Sequence, residues 1–441
     1  MNPRKIALEI LNRSRTEDTI IDYLIDEILN KNDLTPRDRA LVFEIVQGTI
    51  RWHNKLAWIG EQFLVGNFSR APLPIQNILE MTFYQILFLS KTPDYAAVNE
   101  AVNLARKFKG QFWAKRVNAV LRNFLRKKDQ LKYPELAADP VKAISINYSH
   151  PEWLVKRWLH QFGEEATCKL CGINNQKPHH SLRVNRLKTN AAEFQTELEK
   201  AGVKVTPSKM LPDFFRAEHL PSLNEFSLFR KGFFSIQDES AGLPAQLLAP
   251  KPGDKVLDLC AAPGGKTTHL AEISEDKADI IAVENVFLRL QLIRENVERL
   301  GLKNISLVQG DARTFATAPV DKILLDAPCS GLGVLAKRAD LRWKRTLEDI
   351  RELKSLQYEM LCHAAELLTE GGALVYSTCT IEPEENEQII RLFLATHADF
   401  ELDNPARFIP AEFIKDEYFV QTLPHIHGTD GSFAARLVKG K

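Results

Sequence analysis

Cysteine is scarce, with six in 441 residues, and the spacing is irregular. That excludes a disulfide framework, points to a reducing compartment and leaves the thiols free for chemistry. Long apolar runs are also missing. No uncharged stretch approaches the ~18 residues a membrane span needs, and Glu9, Arg13, Arg15, Glu17 and Asp18 break up any signal core behind Arg4 and Lys5. The expected location is therefore the cytoplasm, with no membrane partner. Excess charge is lacking too: Lys+Arg 58 against Asp+Glu 57 leaves +1, so bulk composition calls for no polyanionic partner.

Locally the balance differs. Acids are absent from Ala101 to Lys128, where Arg106, Lys107, Lys109, Lys115, Arg116, Arg122, Arg126, Lys127 and Lys128 are interleaved with Phe108, Phe112, Trp113 and Phe124. A second basic run, Lys337, Arg338, Arg342, Lys344 and Arg345, surrounds Trp343. Either run alone reads equally well as a solvated helix face. Two in one chain favour a polyanionic substrate.

The length suggests about three domains. From Pro3 to about Lys128 apolar residues recur at helical spacing (Ile6, Ile10, Leu11; Ile75, Ile78, Leu79, Ile86), which predicts an all-helical domain, residues 1–130. Asp129 to His150, with Pro134 and Pro140, reads as a connection of little structure. It leads into a small α+β segment, the two together spanning 131–230, with a helix around Trp153, Leu154 and Trp158, a basic strand Ser181–Asn185, a helix from Phe194 to Ala201 and a strand Val203–Val205. Within 231–441, strands are expected at Lys255–Cys260, Asp279–Glu284, Ile305–Gln309, Asp321–Asp326 and Ala373–Thr378. They alternate with helices such as Phe287–Leu300 and Leu347–Leu368, the pattern of a doubly wound, Rossmann-like α/β domain with a parallel sheet.

The chemistry gathers at the carboxyl ends of these strands. Cys260-Ala261-Ala262-Pro263-Gly264-Gly265-Lys266-Thr267 reads as strand, tight turn and helix start, where small residues let the backbone approach a ligand and a helix amino end offers unpaired N–H groups. Two rivals fail: a P-loop needs glycine where Cys260 stands, and the dinucleotide fingerprint Gly-x-Gly-x-x-Gly is absent. Glu284, Asp311 and Asp326 then fall at successive strand ends, Glu284 at about the spacing that offers a carboxylate to ribose hydroxyls. Cys329, in Asp326-Ala327-Pro328-Cys329-Ser330-Gly331, and Cys379, in Ser377-Thr378-Cys379-Thr380 before Pro383-Glu384-Glu385-Asn386, put two thiols beside this loop. Covalent chemistry on a substrate held next to a cofactor follows.

These motifs closely resemble those of the S-adenosylmethionine-dependent RNA cytosine-5 methyltransferases. Joined to a helical domain that looks like the NusB fold, they resemble the bacterial ribosomal RNA enzymes of the Fmu/Sun (RsmB-type) group over essentially the whole chain, including Gly428-Thr429-Asp430-Gly431. The resemblance implies that S-adenosylmethionine is the cofactor, bound by Cys260, Ala261, Ala262, Pro263, Gly264, Gly265, Lys266, Glu284, Asp311 and Asp326. It also implies methylation of a cytosine in 16S ribosomal RNA, before subunit assembly is complete, by a monomer. Glu284 stands where such sites more often have aspartate; the longer carboxylate still reaches both hydroxyls. Which thiol attacks is open from the residues alone, since DNA cytosine-5 enzymes use a Pro-Cys cysteine like Cys329; the resemblance assigns attack to Cys379 and release to Cys329. Asp326, after Ile323-Leu324-Leu325, is expected in an apolar setting that raises its pKa and lets it protonate N3. A helix opening at Pro383 is expected to favour the Cys379 thiolate. Trp343 is read as bordering the pocket for an extruded base, and Arg183, Asn185, Arg186 and Lys188 as gripping RNA backbone.

Competing readings are weaker. An exocyclic-amine methyltransferase needs an aromatic that Asp326-Ala327-Pro328-Cys329 lacks. A nucleotide hydrolase fails on the same missing glycine. Zinc at Cys168 and Cys171 with His179 and His180 rests on a single helical pair, so no metal is expected. A non-catalytic RNA scaffold would not need Lys266, Asp311, Asp326, Cys329 and Cys379 together. Modification of another RNA, such as tRNA, remains the alternative substrate.

Overall fold

A computed structural model describes residues 2–17, 19–90 and 93–440. The chain divides into two units, Met1–Asn175 with Arg342–Lys344, and Gln176–Leu341 with Arg345–Lys441. Among the described residues no helix is long and apolar enough to cross a membrane.

The first unit is helical. Helices Pro3–Ser14, Ile21–Asn30, Pro36–Arg51, His53–Phe63, Leu73–Phe88 and Asp94–Lys127 bury Ile6, Ile10, Leu11, Ile75, Ile78 and Leu79 in one core, as the helical spacing predicts. Asn2 and Thr35 cap the helices they precede, each with proline at the first helical position. The helix Asp94–Lys127 is broken at Gly110, whose φ of 79° no helix accommodates. The stretch expected to be a loose connection contains a helix, Pro140–Asn147, capped by Asp139, and Pro151 directly precedes another, Glu152–Phe162. Proline signals a loop in a sequence, yet here Pro140 and Pro151 occupy helix starts, where their missing N–H costs nothing.

In the second unit, strands β1 (His180–Val184), β2 (Val205–Pro207), β3 (Phe214–Ala217) and β4 (Phe234–Ile236) form an antiparallel sheet in the order β2-β3-β1-β4. The larger sheet comprises β5 (Lys255–Leu259), β6 (Asp279–Glu284), β7 (Ile305–Gln309), β8 (Val320–Asp326), β9 (Leu368–Thr378), β10 (Phe400–Leu402), β11 (Ile414–Lys415), β12 (Phe419–Thr422) and β13 (Ser432–Lys439). Its order is β11-β12-β13-β9-β8-β5-β6-β7, with β10 also on β13. Strands β5 to β9 are mutually parallel, as expected, while β10 to β13 add an antiparallel flank.

Along the parallel strands, alternate residues enter different cores. Leu257, Leu259, Ile323, Leu325, Leu374 and Tyr376 pack with helices Leu347–Glu366 and Glu387–Thr396. Val256, Leu324 and Val375 pack with Leu243, Leu247 and Leu270 from helices Glu239–Leu248 and Gly265–Ile273. The period of two places these cores on opposite faces, so helices cover both. Strand β5 pairs with β6 on one side and β8 on the other. The chain thus reverses its direction of winding at the end of β5, where open α/β sheets leave a crevice for ligands.

Candidate active site

At the end of β5, Cys260 (φ 62°) and Gly264 (φ 95°) turn the chain into helix Gly265–Ile273. The turn is pinned by Ala261 N–H on the Val283 carbonyl (3.0 Å) and Gly264 N–H on the Ala261 carbonyl (2.8 Å). A side chain at Gly264 would press on Ile293 at 3.0 Å, so both the φ and the close approach require glycine. Burial pushes the Cys260 thiol up to about 12, which leaves it inert.

Two carboxylates behind this turn carry unpartnered oxygens. Glu284 is 2% exposed; its Oε1 accepts from Val286 N–H (3.1 Å) and lies 3.5 Å from Arg289, while its buried Oε2 has no partner. Asp258 is fully buried, accepts the Thr267 hydroxyl at 2.6 Å and keeps Oδ1 unpartnered; burial pushes its pKa up to about 7. Buried oxygens without donors are what a cradle for a hydroxyl- and ammonium-bearing cofactor offers. Asp311 is different: it is partly exposed and grips Arg313 through both oxygens, and the Arg313 hydrogen bond holds its carboxyl below the usual range. Asp258 and Arg289 went unrecognised in the sequence. Arg289, which also reaches the Ala262 carbonyl (3.2 Å), was legible as a cation five residues beyond Glu284.

The second cluster lies at the ends of β8 and β9, where Asp326 and Ser377 are register partners. Asp326 accepts from Lys266 Nζ at 2.7 Å through one oxygen and from the Ser377 hydroxyl at 2.8 Å through the other. The expected apolar setting is therefore replaced by an ion pair, because Lys266, one residue into the helix, turns toward the carboxylate. Burial opposes the charge on Lys266, but Asp326 and Cys379 outweigh it and its pKa rises. The sulfurs of Cys329 and Cys379 are 3.1 Å apart, and Cys379 N–H donates to Cys329 Sγ at 3.3 Å. The hydrogen bond to Cys379, reinforced by burial, pushes the Cys329 thiol well up.

Both thiol loops are stapled by the run after Cys379. Glu385, fully buried, accepts Ser330 N–H (2.7 Å), the Ser330 hydroxyl (2.5 Å) and Gln357 Nε2 (3.1 Å), and Gln357 also reaches the Pro328 carbonyl (2.8 Å). Asn386 donates to the Thr380 carbonyl (3.0 Å) and accepts from the Thr378 hydroxyl (2.6 Å). The helix expected to open at Pro383 is only a three-residue 3-10 turn, Pro383–Glu385, and the α-helix begins at Glu387. Side-chain stapling thus takes the place of the expected helix-end field. Gly333 N–H donates to the Cys379 carbonyl (3.1 Å) and its own carbonyl accepts from Gly431 N–H (2.8 Å). Lys337 bridges Asp238 and Asp430, and Thr429 donates to Asp238 (2.6 Å), which gives the Gly428–Gly431 run its role as a wall of the loop after Cys329.

Several residues expected to meet RNA are spent internally. Arg183 is 1% exposed and Asn185 is fully buried; Lys188 donates to the Lys231 carbonyl at 2.7 Å. Arg186 is exposed beside Asp213. In the first unit, Trp343 donates its indole N–H to the Ile50 carbonyl (2.7 Å) and meets His53 edge-on, while buried Arg342 binds the Ser149 and Asn174 carbonyls. Trp343 is half-buried, with its indole N–H spent inside the first unit. Conversely, Arg106, Lys107, Lys109, Lys115, Arg122, Arg126 and Lys127 are exposed, and Phe112 is 64% exposed among them. Among the described residues no group of three or more His, Cys, Asp or Glu is arranged to hold a metal.

Comparison with known proteins agrees with this architecture. A family model described as 16S rRNA methyltransferase RsmB/F matches residues 245–438, the NusB family model matches 1–126, and an RsmF/B-like ferredoxin-like domain matches 150–219. The probable ribosomal RNA small subunit methyltransferase B of Bacillus subtilis (strain 168) is 36% identical, covering 99% of this chain and 98% of that protein. The ribosomal RNA small subunit methyltransferase B of Pseudomonas syringae pv. tomato is 37% identical over 100% of this chain and 97% of its own length. Among solved structures, PH0851 superposes with a TM-score of 0.81 at 28% identity, covering 100% of this chain and 99% of that one. NSun6 from Pyrococcus horikoshii, solved with SFG, an analogue of S-adenosylmethionine, gives 0.60 at 29% identity over 66% of this chain and 98% of that one. A two-cysteine rim on a doubly wound sheet, following a NusB-family helical domain in sequence and matched over its full length, makes this chain a member of the RsmB/F family of 16S ribosomal RNA methyltransferases.

Proposed function

We propose that the protein transfers the methyl group of S-adenosylmethionine to C5 of a cytosine in 16S ribosomal RNA through a covalent bond between Cys379 and C6. The carrying observation is the thiol pair, 3.1 Å apart, beside the 2.7 Å Lys266–Asp326 pair. The donor supplies an electrophilic methyl sulfonium. In this reading the turn Cys260–Lys266 holds it, with Glu284 on its ribose and Asp311 at the outer rim.

C5 of cytosine is a poor nucleophile until a group adds at C6. The Cys379 thiolate forms the S–C6 bond, and the charge pushed to N3 takes a proton that Lys266 supplies through Asp326. C5 then takes the methyl group as the donor's S–CH3 bond breaks. The C5 proton then passes to solvent, N3 returns its proton to the Lys266–Asp326 pair as the S–C6 bond breaks and the ring regains its aromaticity, and the Cys329 thiol donates a hydrogen bond to the departing Cys379 thiolate. The helical segment 1–130 binds RNA through its exposed cations, with 131–230 joining it to the catalytic segment 231–441, and the protein acts as a monomer.

The test is an RNA fragment incubated with donor and each variant. Cys379→Ala should abolish turnover and the denaturation-resistant RNA adduct, and Cys329→Ala should accumulate that adduct. The opposite pattern would exchange the roles, and a methylated nucleoside other than 5-methylcytosine would overturn the reaction.

A further inference from the structure

We infer that Arg183 is a positioning residue for the methyl donor: its buried guanidinium locks the first turn of helix Gly265–Ile273, and with it Lys266, to the small antiparallel sheet. This rests on the reading that the Cys260–Lys266 turn holds the donor.

A guanidinium without water is expensive unless its donors are satisfied, and here each of the five N–H groups has an acceptor within reach. Nε and Nη2 take the two oxygens of Glu272 at 3.0 and 2.8 Å, a planar fork on a carboxylate. Nη2 also reaches the Thr268 hydroxyl at 2.9 Å, and Nη1 reaches the Gly265 carbonyl at 2.6 Å and the Gln237 side-chain oxygen. Glu272 alone would suffice to neutralise the charge. The contact with Gly265 adds something else, because Gly265 is where the donor turn becomes helix and its neighbour Lys266 is the partner of Asp326. The phase of that first turn, and so the direction of both its N–H groups and the Lys266 ammonium, is set by a side chain from β1. Asn185, just past the end of β1, provides the contrast: it donates to the Gly232 carbonyl (3.0 Å) and to the carbonyl of Leu300 (3.4 Å) at the carboxyl end of helix Phe287–Leu300.

The experiment titrates full-length protein with S-adenosylhomocysteine and measures methylation kinetics for Arg183→Met, Arg183→Lys and Asn185→Ala. Lysine keeps the charge but cannot span the fork. Both Arg183 variants should raise the Kd for S-adenosylhomocysteine and the KM for S-adenosylmethionine about tenfold or more, with RNA affinity within about twofold of wild type. Asn185→Ala should lower Tm while leaving donor affinity unchanged, which separates positioning from general stability. Should the methionine variant not fold, the lysine variant decides. Wild-type donor affinity in Arg183→Lys overturns the proposal, and a loss of RNA affinity alone would return Arg183 to the role of gripping phosphate. Glu284→Ala in the same titration distinguishes the two failures: if it binds normally the donor site itself is misplaced, and if it binds poorly while Arg183→Lys binds well, only the role of Arg183 falls.

Discussion

The close approach of Gly333 to the strand end that carries Cys379 can be tested with a single methyl group. A Cβ at Gly333 would overlap the Gly431 carbonyl oxygen and stand 2.8 Å from the Cys379 carbonyl oxygen, both rigid backbone atoms. To admit it the backbones must part by roughly 1 Å, which breaks or stretches the hydrogen bonds from Gly333 N–H to Cys379 (3.1 Å) and from Gly431 N–H to Gly333 (2.8 Å). Each of the two bonds is worth about 1 kcal/mol net, overpacking costs about 1–3 kcal/mol, and the stiffer unfolded chain returns up to about 1 kcal/mol, leaving a destabilisation of about 2–5 kcal/mol. A displacement of about 1 Å at a reacting group costs about 100-fold in rate. Gly333→Ala should therefore lower the urea midpoint and reduce kcat about 100-fold while donor affinity stays unchanged. Urea unfolding, isothermal titration and single-turnover methylation read the three quantities. A variant with wild-type midpoint and kcat would refute the reasoning.

Other outcomes follow from charge. Asp258, with its pKa raised by burial to about 7, binds its proton more tightly folded than unfolded, where a carboxyl sits at about 3.9. Its stabilising contribution is complete at low pH and is lost as pH rises from about 4 to about 7. Asp258→Asn should flatten that part of the stability profile, and parallel midpoint-against-pH curves for variant and wild type would contradict this. Reversing Arg106, Lys109 and Lys115 to glutamate should weaken RNA binding and reduce its salt dependence without altering donor binding. Unchanged RNA affinity across a salt series would remove the helical unit from recognition.

What was legible in the sequence is what repeats locally. Strand β6, strand β7 and helix Phe287–Leu300 lie where alternation and helical spacing place them, and the two thiols emerge at strand ends because the apolar runs before them stop there. Helical spacing predicts a helix ending at Leu368, but Leu368 opens β9, since an apolar residue at a junction suits either period. The antiparallel strands β12 and β13 carry little periodicity, because β12 is only four residues long and β13 is buried on both faces from Ser432 to Leu437. Charged residues are the least legible. Arg183 and Arg342 in a basic stretch suggest a solvent-facing grip, yet their acceptors (Glu272 for the first, backbone carbonyls of Ser149 and Asn174 for the second) are distant in sequence and become visible only once the chain is folded. Glu385 is a similar case: its motif was visible, but its bonds to Ser330 were not.

Strand β9 is interior only because β13 lies against it, from Phe433 opposite Thr378 to Val438 opposite Ala373. Translation produces these segments in the opposite order of need: Cys379 is made first and the strand that seats β9 arrives afterwards. During that interval β9 is an open edge with unpaired N–H and C=O groups, and Gly333 has no Gly431 to rest on. Chemical competence is therefore tied to completion of the sheet, so that a nascent or clipped chain lacking Ser432–Lys439 would carry every reactive group without the scaffold that aligns them.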